Sequence, residues 1–234
     1  KHREIRIGFV SPDFGDHSVA RFIWPIFTHA EKYGAQIYCL SCYNVQDEWR
    51  ERFQNKAERF IDISNSKPVE IEGIVRELKI DILFDLSGFT KGSRINLFGT
   101  RMAPVQVTWL GYPGTSGLKN MDYVFVDKLL KPERSDLITE KCLVTEGTSV
   151  CFSSMKEIPI TSKIPEEKRG FITFGTLNNS YKLNENTIKR WANVMKEVEE
   201  SHFLFVRREF ESFYLRENVK SCFREYGVSP ERIH

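Results

Sequence analysis

A glycine-rich segment at residues 104–117, PVQVTWLGYPGTSG, has the residue types and spacing of a ligand-binding loop. In its first half, Val105, Val107 and Trp109 alternate with polar residues, as on a strand whose two faces differ. The alternation stops at Gly111, where a turn of small and ring-bearing residues begins. A strand that ends in such a turn exposes bare backbone at the carboxyl edge of a sheet, which is where open α/β folds bind ligands. The segment therefore predicts a ligand site at that edge.

Another loop of this kind follows the apolar run at 80–86 and reads SGFTKGS at 87–93. It is superficially similar to the phosphate-binding loop of nucleoside triphosphatases. However, it lacks the GxxxxGK[ST] spacing that places backbone N–H groups around phosphates. The sequence therefore argues against a nucleoside triphosphatase and gives a second strand that ends in a glycine loop.

Five cysteines, an odd number, are scattered along the chain, which indicates a reducing compartment and hence a cytoplasmic protein. Cys39 and Cys42 form a CxxC motif inside the strand-like run 36–43. An offset of three residues places the two thiols on opposite faces of a strand. Because the redox motif opens a helix instead, we expect neither a redox role nor a metal site at this pair.

The composition is that of an ordinary globular protein, with 234 residues, 41% of them hydrophobic and 28% charged. The net charge of +2 predicts no nucleic-acid partner. No apolar run reaches the roughly 18 residues that a membrane span requires, so we expect no membrane partner. The chain begins at Lys1 rather than Met, and residues 229–234 resemble the entry to a further strand. We therefore expect a piece of a longer protein, cut inside a domain.

Strand and helix patterns alternate along the chain, and this alternation has to position the loops. The clearest helix carries Ile71, Ile74, Val75 and Leu78 at the spacing of one apolar face. The predicted strands are 5–10, 35–43, 59–63, 80–86, 105–109, 122–127, 171–175 and 203–206. The predicted helices are 19–33, 46–57, one around 71–78, 94–102, 185–198 and 216–226. Alternation with short loops predicts an α/β fold with a parallel, doubly wound sheet.

The alternation is interrupted once, which divides the chain into domains. From 153 to 169 the pattern dissolves into Pro, Lys, Glu and Ser, as in a linker. We predict one complete Rossmann-like domain at 1–152, a linker at 153–169, and the start of a second, truncated Rossmann-like domain at 170–234.

Several segments, in order along the chain, resemble one family of enzymes. They are 8–17, 87–94, 101–106, 109–117, 121–123, 177–182 and 191–193. Together they are similar to the catalytic region of the O-linked N-acetylglucosamine transferase and SPINDLY family of glycosyltransferases, from about residue 5 to residue 234. The resemblance implies the GT-B architecture, in which two Rossmann-like domains enclose the active site.

The resemblance also implies an activity. Members of this family transfer a sugar from a nucleotide sugar to Ser or Thr hydroxyls of protein acceptors, without a metal or a cofactor. UDP-N-acetylglucosamine is the donor that we expect here. The full-length parent is expected to carry tetratricopeptide repeats, which are absent from this sequence. The nucleotide-sugar domain is only half present, so we expect the 234-residue piece alone to be inactive.

Two residues match catalytic positions of the family. His17 corresponds to the active-site histidine after the first strand, and an imidazole is suited to take a proton or orient an acceptor near neutral pH. Lys182 corresponds to the lysine that contacts the diphosphate, where an ammonium group stabilises the charge of the leaving nucleotide. Asn179 matches a polar residue that contacts the nucleotide.

The loop residues match the sugar pocket. Leu110, Gly111, Tyr112 and Pro113 correspond to the segment that lines it, and a glycine there lets backbone approach a ligand closely. The same residues would also form an ordinary tight turn. From the loop at 87–93 and the residue after it, we expect further contacts to the substrate from Thr90, Lys91 and Arg94.

Two alternatives to this function stay open from the sequence. The same fold could use another donor, moving fucose to Ser or Thr as in SPINDLY proteins, or glucose to Asn as in related bacterial enzymes. Alternatively, the domain could be degenerate and bind proteins without catalysing transfer. The second alternative would be favoured if the open reading frame stopped at His234.

Overall fold

A computed structural model of the protein describes residues 4–44, 46–152 and 159–234. The chain forms two compact units, Lys1–Glu157 and Ile158–His234. Residues 153–158 of the predicted linker lie outside the described residues. The assignment of the two predicted domains stays a prediction.

The first unit is built on seven parallel strands in the order β3-β2-β1-β4-β5-β6-β7. The strands are β1 Ile5–Ser11, β2 Ala35–Ser41, β3 Arg59–Asp62, β4 Ile82–Asp85, β5 Val105–Thr108, β6 Tyr123–Asp127 and β7 Lys141–Thr145. The α-helices are α1 Ser18–His29, α2 Glu48–Lys56 and α3 Pro68–Glu77. Short 3-10 helices lie at Ala30–Tyr33, Ile95–Gly99 and Ser135–Leu137. The predicted parallel α/β sheet is confirmed.

Apolar side chains cover both faces of this sheet, as a doubly wound fold requires. Neighbouring residues of β1 point to opposite sides, with Phe9 in one buried cluster and Val10 in the other. The Phe9 side is covered by α1 and α2, and the Val10 side by α3. The strand order reverses between β1 and β4, and the carboxyl ends of strands at such a reversal are where open α/β sheets bind ligands.

The CxxC pair follows the same alternation. Cys39 is fully buried on the face covered by α1, whereas Cys42 packs against the cluster on the opposite face. This is the arrangement that the strand pattern predicts. Burial raises the pKa of the Cys39 thiol well above its usual value and that of Cys42 to about 12. Both side chains are therefore apolar packing groups at neutral pH.

The secondary structure of this unit differs from the prediction in two places. Residues 94–102 form only the 3-10 turn Ile95–Gly99, because other elements use the carbonyls that a helix would need. Asn120 Nδ2 donates to the Gly99 carbonyl at 2.6 Å, and Gln106 Nε2 to that of Phe98 at 3.4 Å. Strand β7 was not predicted, since it is an edge strand with weak alternation, and both Leu143 and Val144 are exposed.

The second unit contains two parallel strands, β8 Thr173–Thr176 and β9 His202–Phe205. Its α-helices are α4 Pro165–Arg169, α5 Glu185–Glu197 and α6 Phe213–Glu225, and its 3-10 helices are Ser180–Lys182, Arg208–Glu211 and Pro230–Arg232. The short helix α4 lies inside the predicted linker and ends at Gly170, whose φ is +79°. The core contains Phe203 of β9, Met195 of α5 and Phe223 of α6.

Candidate active site

The loop that follows β4 (the first loop, residues 86–94) and the loop that follows β5 (the second loop, residues 109–117) meet at the carboxyl edge of the first sheet. The Gly111 N–H donates to the Leu86 carbonyl at 3.1 Å. A Cβ on Gly111 would lie 2.2 Å from that same carbonyl oxygen, so only glycine fits. The residue before it, Leu110, has a φ of +80°, which is a strained backbone for a leucine. The close contact therefore fixes Gly111 beside the first loop.

An aromatic contact joins the same two loops further out. Gly88 has a φ of +53°, and a Cβ there would lie 2.4 Å from the Cβ of Tyr112. The rings of Phe89 and Tyr112 meet edge to face with their centroids 5.5 Å apart. Tyr112 stays 39% exposed, so it is open to a ligand. A small pocket of about 60 Å³ lies behind Leu110 and Tyr112.

A buried carboxylate ties the bases of the two loops together. Asp85, the last residue of β4, is 1% exposed. It accepts hydrogen bonds from the Gly88 N–H at 2.8 Å, the Ser87 N–H at 3.2 Å and the Thr108 hydroxyl of β5 at 3.1 Å. Burial raises the pKa of Asp85 to about 6, because desolvation outweighs these three bonds. Sequence analysis missed this residue, although a carboxylate that ends a buried strand is a usable signal.

The predicted contact residues from the first loop have different surroundings. Thr90 closes the loop, donating from its N–H and its hydroxyl to the Ser87 carbonyl at 3.1 and 2.8 Å. Lys91 is exposed at the loop surface. Arg94 reaches the loop after β3, where it donates to the Ser66 carbonyl at 2.9 Å. The structure therefore gives Thr90 and Arg94 roles in loop shape, in addition to any contact with a ligand.

The far end of the second loop is anchored to the start of β7. Glu140 is buried and accepts from the Thr115 hydroxyl and from the Ser116 N–H, both at 2.7 Å. It also accepts from the Ser116 hydroxyl. Pro113, between these anchors and Gly111, is exposed. Because both ends of the loop are tied down, its central residues are held in one shape, and sequence analysis had no signal for Glu140.

His17 lies at the end of the loop that follows β1 and caps α1. Its Nδ1 accepts from the Val19 N–H at 3.3 Å and lies 3.6 Å from Asp13 Oδ1, while its side chain is 53% exposed. The Asp13 oxygen is too far for a hydrogen bond, so the cap bond, which needs a lone pair on Nδ1, favours the tautomer with its proton on Nε2. Burial raises the pKa of Asp13, and the adjacent imidazole opposes that rise. A proton on Nδ1 leaves Nε2 free to accept one.

The second unit places its candidate residues at the carboxyl edge of its own sheet. Asn179 and Lys182 follow β8, and the Lys182 N–H donates to the Asn179 carbonyl at 3.0 Å. Lys182 is exposed, and within 159–234 no carboxylate pairs with it. Arg207, the second residue after β9, donates from Nη2 to the Asn179 side-chain oxygen. Sequence analysis did not single out Arg207.

The structure brings the candidates together in two groups. Thr90 and the residues from Leu110 to Pro113 share one edge of the first unit, and Asn179 and Lys182 share one edge of the second. Within residues 4–44, 46–152 and 159–234, no three His, Cys, Asp or Glu side chains are placed to hold a metal ion. No helix in those ranges has the length and apolar character of a membrane span.

The sequence of the chain matches the family model for glycosyl transferase family 41 over residues 1–152. A probable UDP-N-acetylglucosamine–peptide N-acetylglucosaminyltransferase SPINDLY of Solanum lycopersicum is 29% identical over 99% of the chain. Its counterpart SEC of Arabidopsis thaliana is 31% identical over 99% of the chain. The chain covers 25% and 24% of these two relatives, so it spans about a quarter of their length.

Solved structures give the same relationship. A mutant O-GlcNAc transferase of Thermobaculum terrenum superposes on the whole chain with a TM-score of 0.90 and 26% identity, and the chain covers 44% of that structure. A glycosyltransferase of Rickettsia africae has a TM-score of 0.59 and 15% identity, with 100% of this chain and 68% of that one covered. The second match is evidence for the fold alone.

Proposed function

Because the chain belongs to glycosyl transferase family 41, we propose that it is part of an enzyme that transfers N-acetylglucosamine from UDP-N-acetylglucosamine to Ser and Thr hydroxyls of proteins. The observation that carries this proposal is the family match over residues 1–152, which contain His17 and both glycine-bearing loops. The printed names of the SPINDLY and SEC relatives support the choice of donor and of peptide acceptor.

The two tied loops form a wall for the sugar. Gly111 and Gly88 let the two loops pack closely, because Leu86 and Tyr112 occupy the positions that their side chains would take, and the exposed ring of Tyr112 is left to contact the sugar. Fixed groups of this kind lose little freedom when a ligand binds, which favours precise placement of the anomeric carbon. Asp85 and Glu140 supply that rigidity from below.

His17 acts on the acceptor. The Ser or Thr oxygen forms a bond to the anomeric carbon, the bond from that carbon to the diphosphate breaks, and the hydroxyl proton passes to His17 Nε2. Nε2 can take this proton when the neutral imidazole carries its own proton on Nδ1, which requires the bond from the Val19 N–H to open; that Nδ1–H then faces the Asp13 carboxylate. The exposure of the imidazole agrees with contact to a large protein acceptor.

Lys182 acts on the leaving group. The departing UDP gains negative charge on its phosphates, and an ammonium group without a carboxylate partner stabilises that charge. Asn179 binds the nucleotide beside it. With this cation in place the proposed reaction needs neither a metal ion nor a cofactor.

Further parts of the proposal concern the whole protein. The chain spans a quarter of its relatives, and we expect the full-length protein to contain tetratricopeptide repeats, to complete the second domain and to act in the cytoplasm. The 234-residue chain alone is expected to transfer no sugar.

The proposal is tested by mass spectrometry of a Ser- and Thr-containing acceptor incubated with the full-length protein. Parallel reactions contain UDP-N-acetylglucosamine, GDP-fucose or UDP-glucose. We expect the mass of one N-acetylhexosamine, from the first donor alone. A deoxyhexose on the acceptor would show that the donor is GDP-fucose, and a hexose on Asn would show that it is UDP-glucose. Either product would overturn the donor that we propose. An unmodified acceptor in every reaction would contradict the transferase itself.

A further inference from the structure

Arg207 lies where the edge of the second sheet carries the candidate nucleotide-binding residues. Strands β8 and β9 are parallel, with Thr176 of β8 paired to Phe205 of β9. Their carboxyl ends are therefore neighbours, and the residues that follow them face the same space. Asn179 and Lys182 follow β8, and Arg207 follows β9.

The guanidinium of Arg207 uses only part of its hydrogen-bonding capacity. Nη2 donates to the Asn179 side-chain oxygen, and Nε and Nη2 donate to the two Glu209 carboxylate oxygens, each at 3.3 Å. A guanidinium has five N–H donors. The two on Nη1 make no hydrogen bond to any residue within 159–234, and the side chain is 40% exposed. Two donors are therefore available to a ligand.

The same contacts connect Arg207 to Lys182. The Arg207 guanidinium donates to the side-chain oxygen of Asn179, and the main-chain carbonyl of Asn179 accepts from the Lys182 N–H at 3.0 Å. Arg208 adds a further cation at this edge. Among the described residues, Glu209 is the one carboxylate that pairs with any of the three cations. The edge therefore keeps an excess of positive charge, which suits an anionic ligand.

We propose that Arg207 is a further donor-binding residue, which holds Asn179 in place and gives its Nη1 donors to the diphosphate of the nucleotide sugar. This inference rests on the proposed function. The proposed role requires an arginine. Its planar guanidinium can donate to the Glu209 carboxylate, the Asn179 side-chain oxygen and a phosphate at the same time. A lysine has the charge but not the fork.

Binding of UDP to the full-length protein, measured by calorimetry, tests the inference. We expect Arg207→Ala to weaken UDP binding by about tenfold or more, the loss typical of one hydrogen bond to a charged group. Arg207→Lys should recover only part of the affinity. The matched control Arg190→Ala, at an exposed arginine of α5, should bind UDP as the wild type does. Equal affinities for Arg207→Ala and Arg190→Ala would overturn the inference.

A double-mutant cycle separates positioning from simple charge. If Arg207 acts partly through Asn179, Asn179→Ala and Arg207→Ala together should weaken binding by less than the product of their separate effects. Strictly multiplicative effects would overturn the positioning part. Thermal unfolding of each variant checks the fold, and Arg207→Gln replaces Arg207→Ala if the latter unfolds.

Transfer and binding are measured separately, so the two claims fail separately. Sugar transfer with unchanged UDP affinity in Arg207→Ala would leave the proposed function and overturn the inference. If Arg207→Ala binds UDP more weakly than the wild type, but the wild type transfers no sugar, the inference stands and the proposed function is overturned. A full-length protein that binds no UDP would contradict both.

Discussion

At the scale of single residues, His17 and Lys182 carry the chemistry of the proposed reaction. In the full-length protein we expect His17→Ala to lower kcat by about 10²–10⁴-fold, because the acceptor hydroxyl loses its proton acceptor. We expect Lys182→Ala to lower it by about 10²–10³-fold, because charge on the leaving diphosphate is no longer stabilised. Steady-state turnover of both variants measures this.

Matched controls for these variants exist in the chain. His29, at the end of α1, and Lys168, in α4, are exposed residues of the same types away from both loops. His29→Ala and Lys168→Ala should keep wild-type turnover. If His17→Ala and Lys182→Ala also keep it, both site assignments are wrong.

Asp85 gives a prediction about pH at the same scale. Its pKa is raised from 3.8 to about 6 in the folded protein, so the folded state binds more protons than the unfolded state between these values. The free energy of unfolding should therefore fall as pH rises from about 4 to about 6. Asp85→Asn removes this contribution, which is on the order of 1–3 kcal/mol.

Urea unfolding at several pH values between 4 and 7 tests this contribution. The unfolding free energy of the wild type, relative to that of Asp85→Asn, should fall as the pH rises from 4 to about 6. Above about 6 it should stay constant. A difference that is constant over the whole range would show that Asp85 does not titrate there.

At the scale of elements, the site depends on two loops that fit each other only through glycine. Gly111→Ala places a Cβ 2.2 Å from a backbone oxygen, which cannot move as a flexible side chain would. We expect a loss of about 1–3 kcal/mol in unfolding free energy, together with loss of transfer. Gly147→Ala is the control, since nothing lies within 4 Å of the added Cβ. Equal stabilities of the two variants would contradict the packing described here.

The elements also show what the sequence can predict. The buried strands and the helix with the Ile71 and Val75 stripe follow from periodicity, because their apolar faces are needed for the core. Strand β7 and residues 94–102 do not, since an edge strand needs little alternation and the 3-10 turn depends on Asn120 and Gln106 from elsewhere.

The same distinction applies to the site. The glycine loops and the motif positions of His17 and Lys182 are local in sequence, so they could be predicted. The contacts of Asp85 and Arg207 could not, because their partners Thr108 and Asn179 lie 23 and 28 residues away in sequence; for Asp85, its place at the end of a buried strand is the one local signal. Only the parallel pairing of neighbouring strands brings those partners together.

At the scale of the whole molecule, the chain contains two groups of candidate residues in two compact units. We expect the 234-residue chain alone to bind UDP more weakly than the full-length protein, because it spans about a quarter of its curated relatives. Calorimetry on both proteins compares the two affinities. Micromolar UDP binding by the 234-residue chain would contradict this expectation.

The full-length protein is proposed to move a sugar onto a protein hydroxyl. Site mapping by fragmentation mass spectrometry, after reaction with UDP-N-acetylglucosamine and an acceptor, tests it most directly. We expect an N-acetylhexosamine on a Ser or Thr side chain, formed by the wild type and greatly reduced in Lys182→Ala. An acceptor that stays unmodified while the wild-type protein is folded and binds UDP would contradict it.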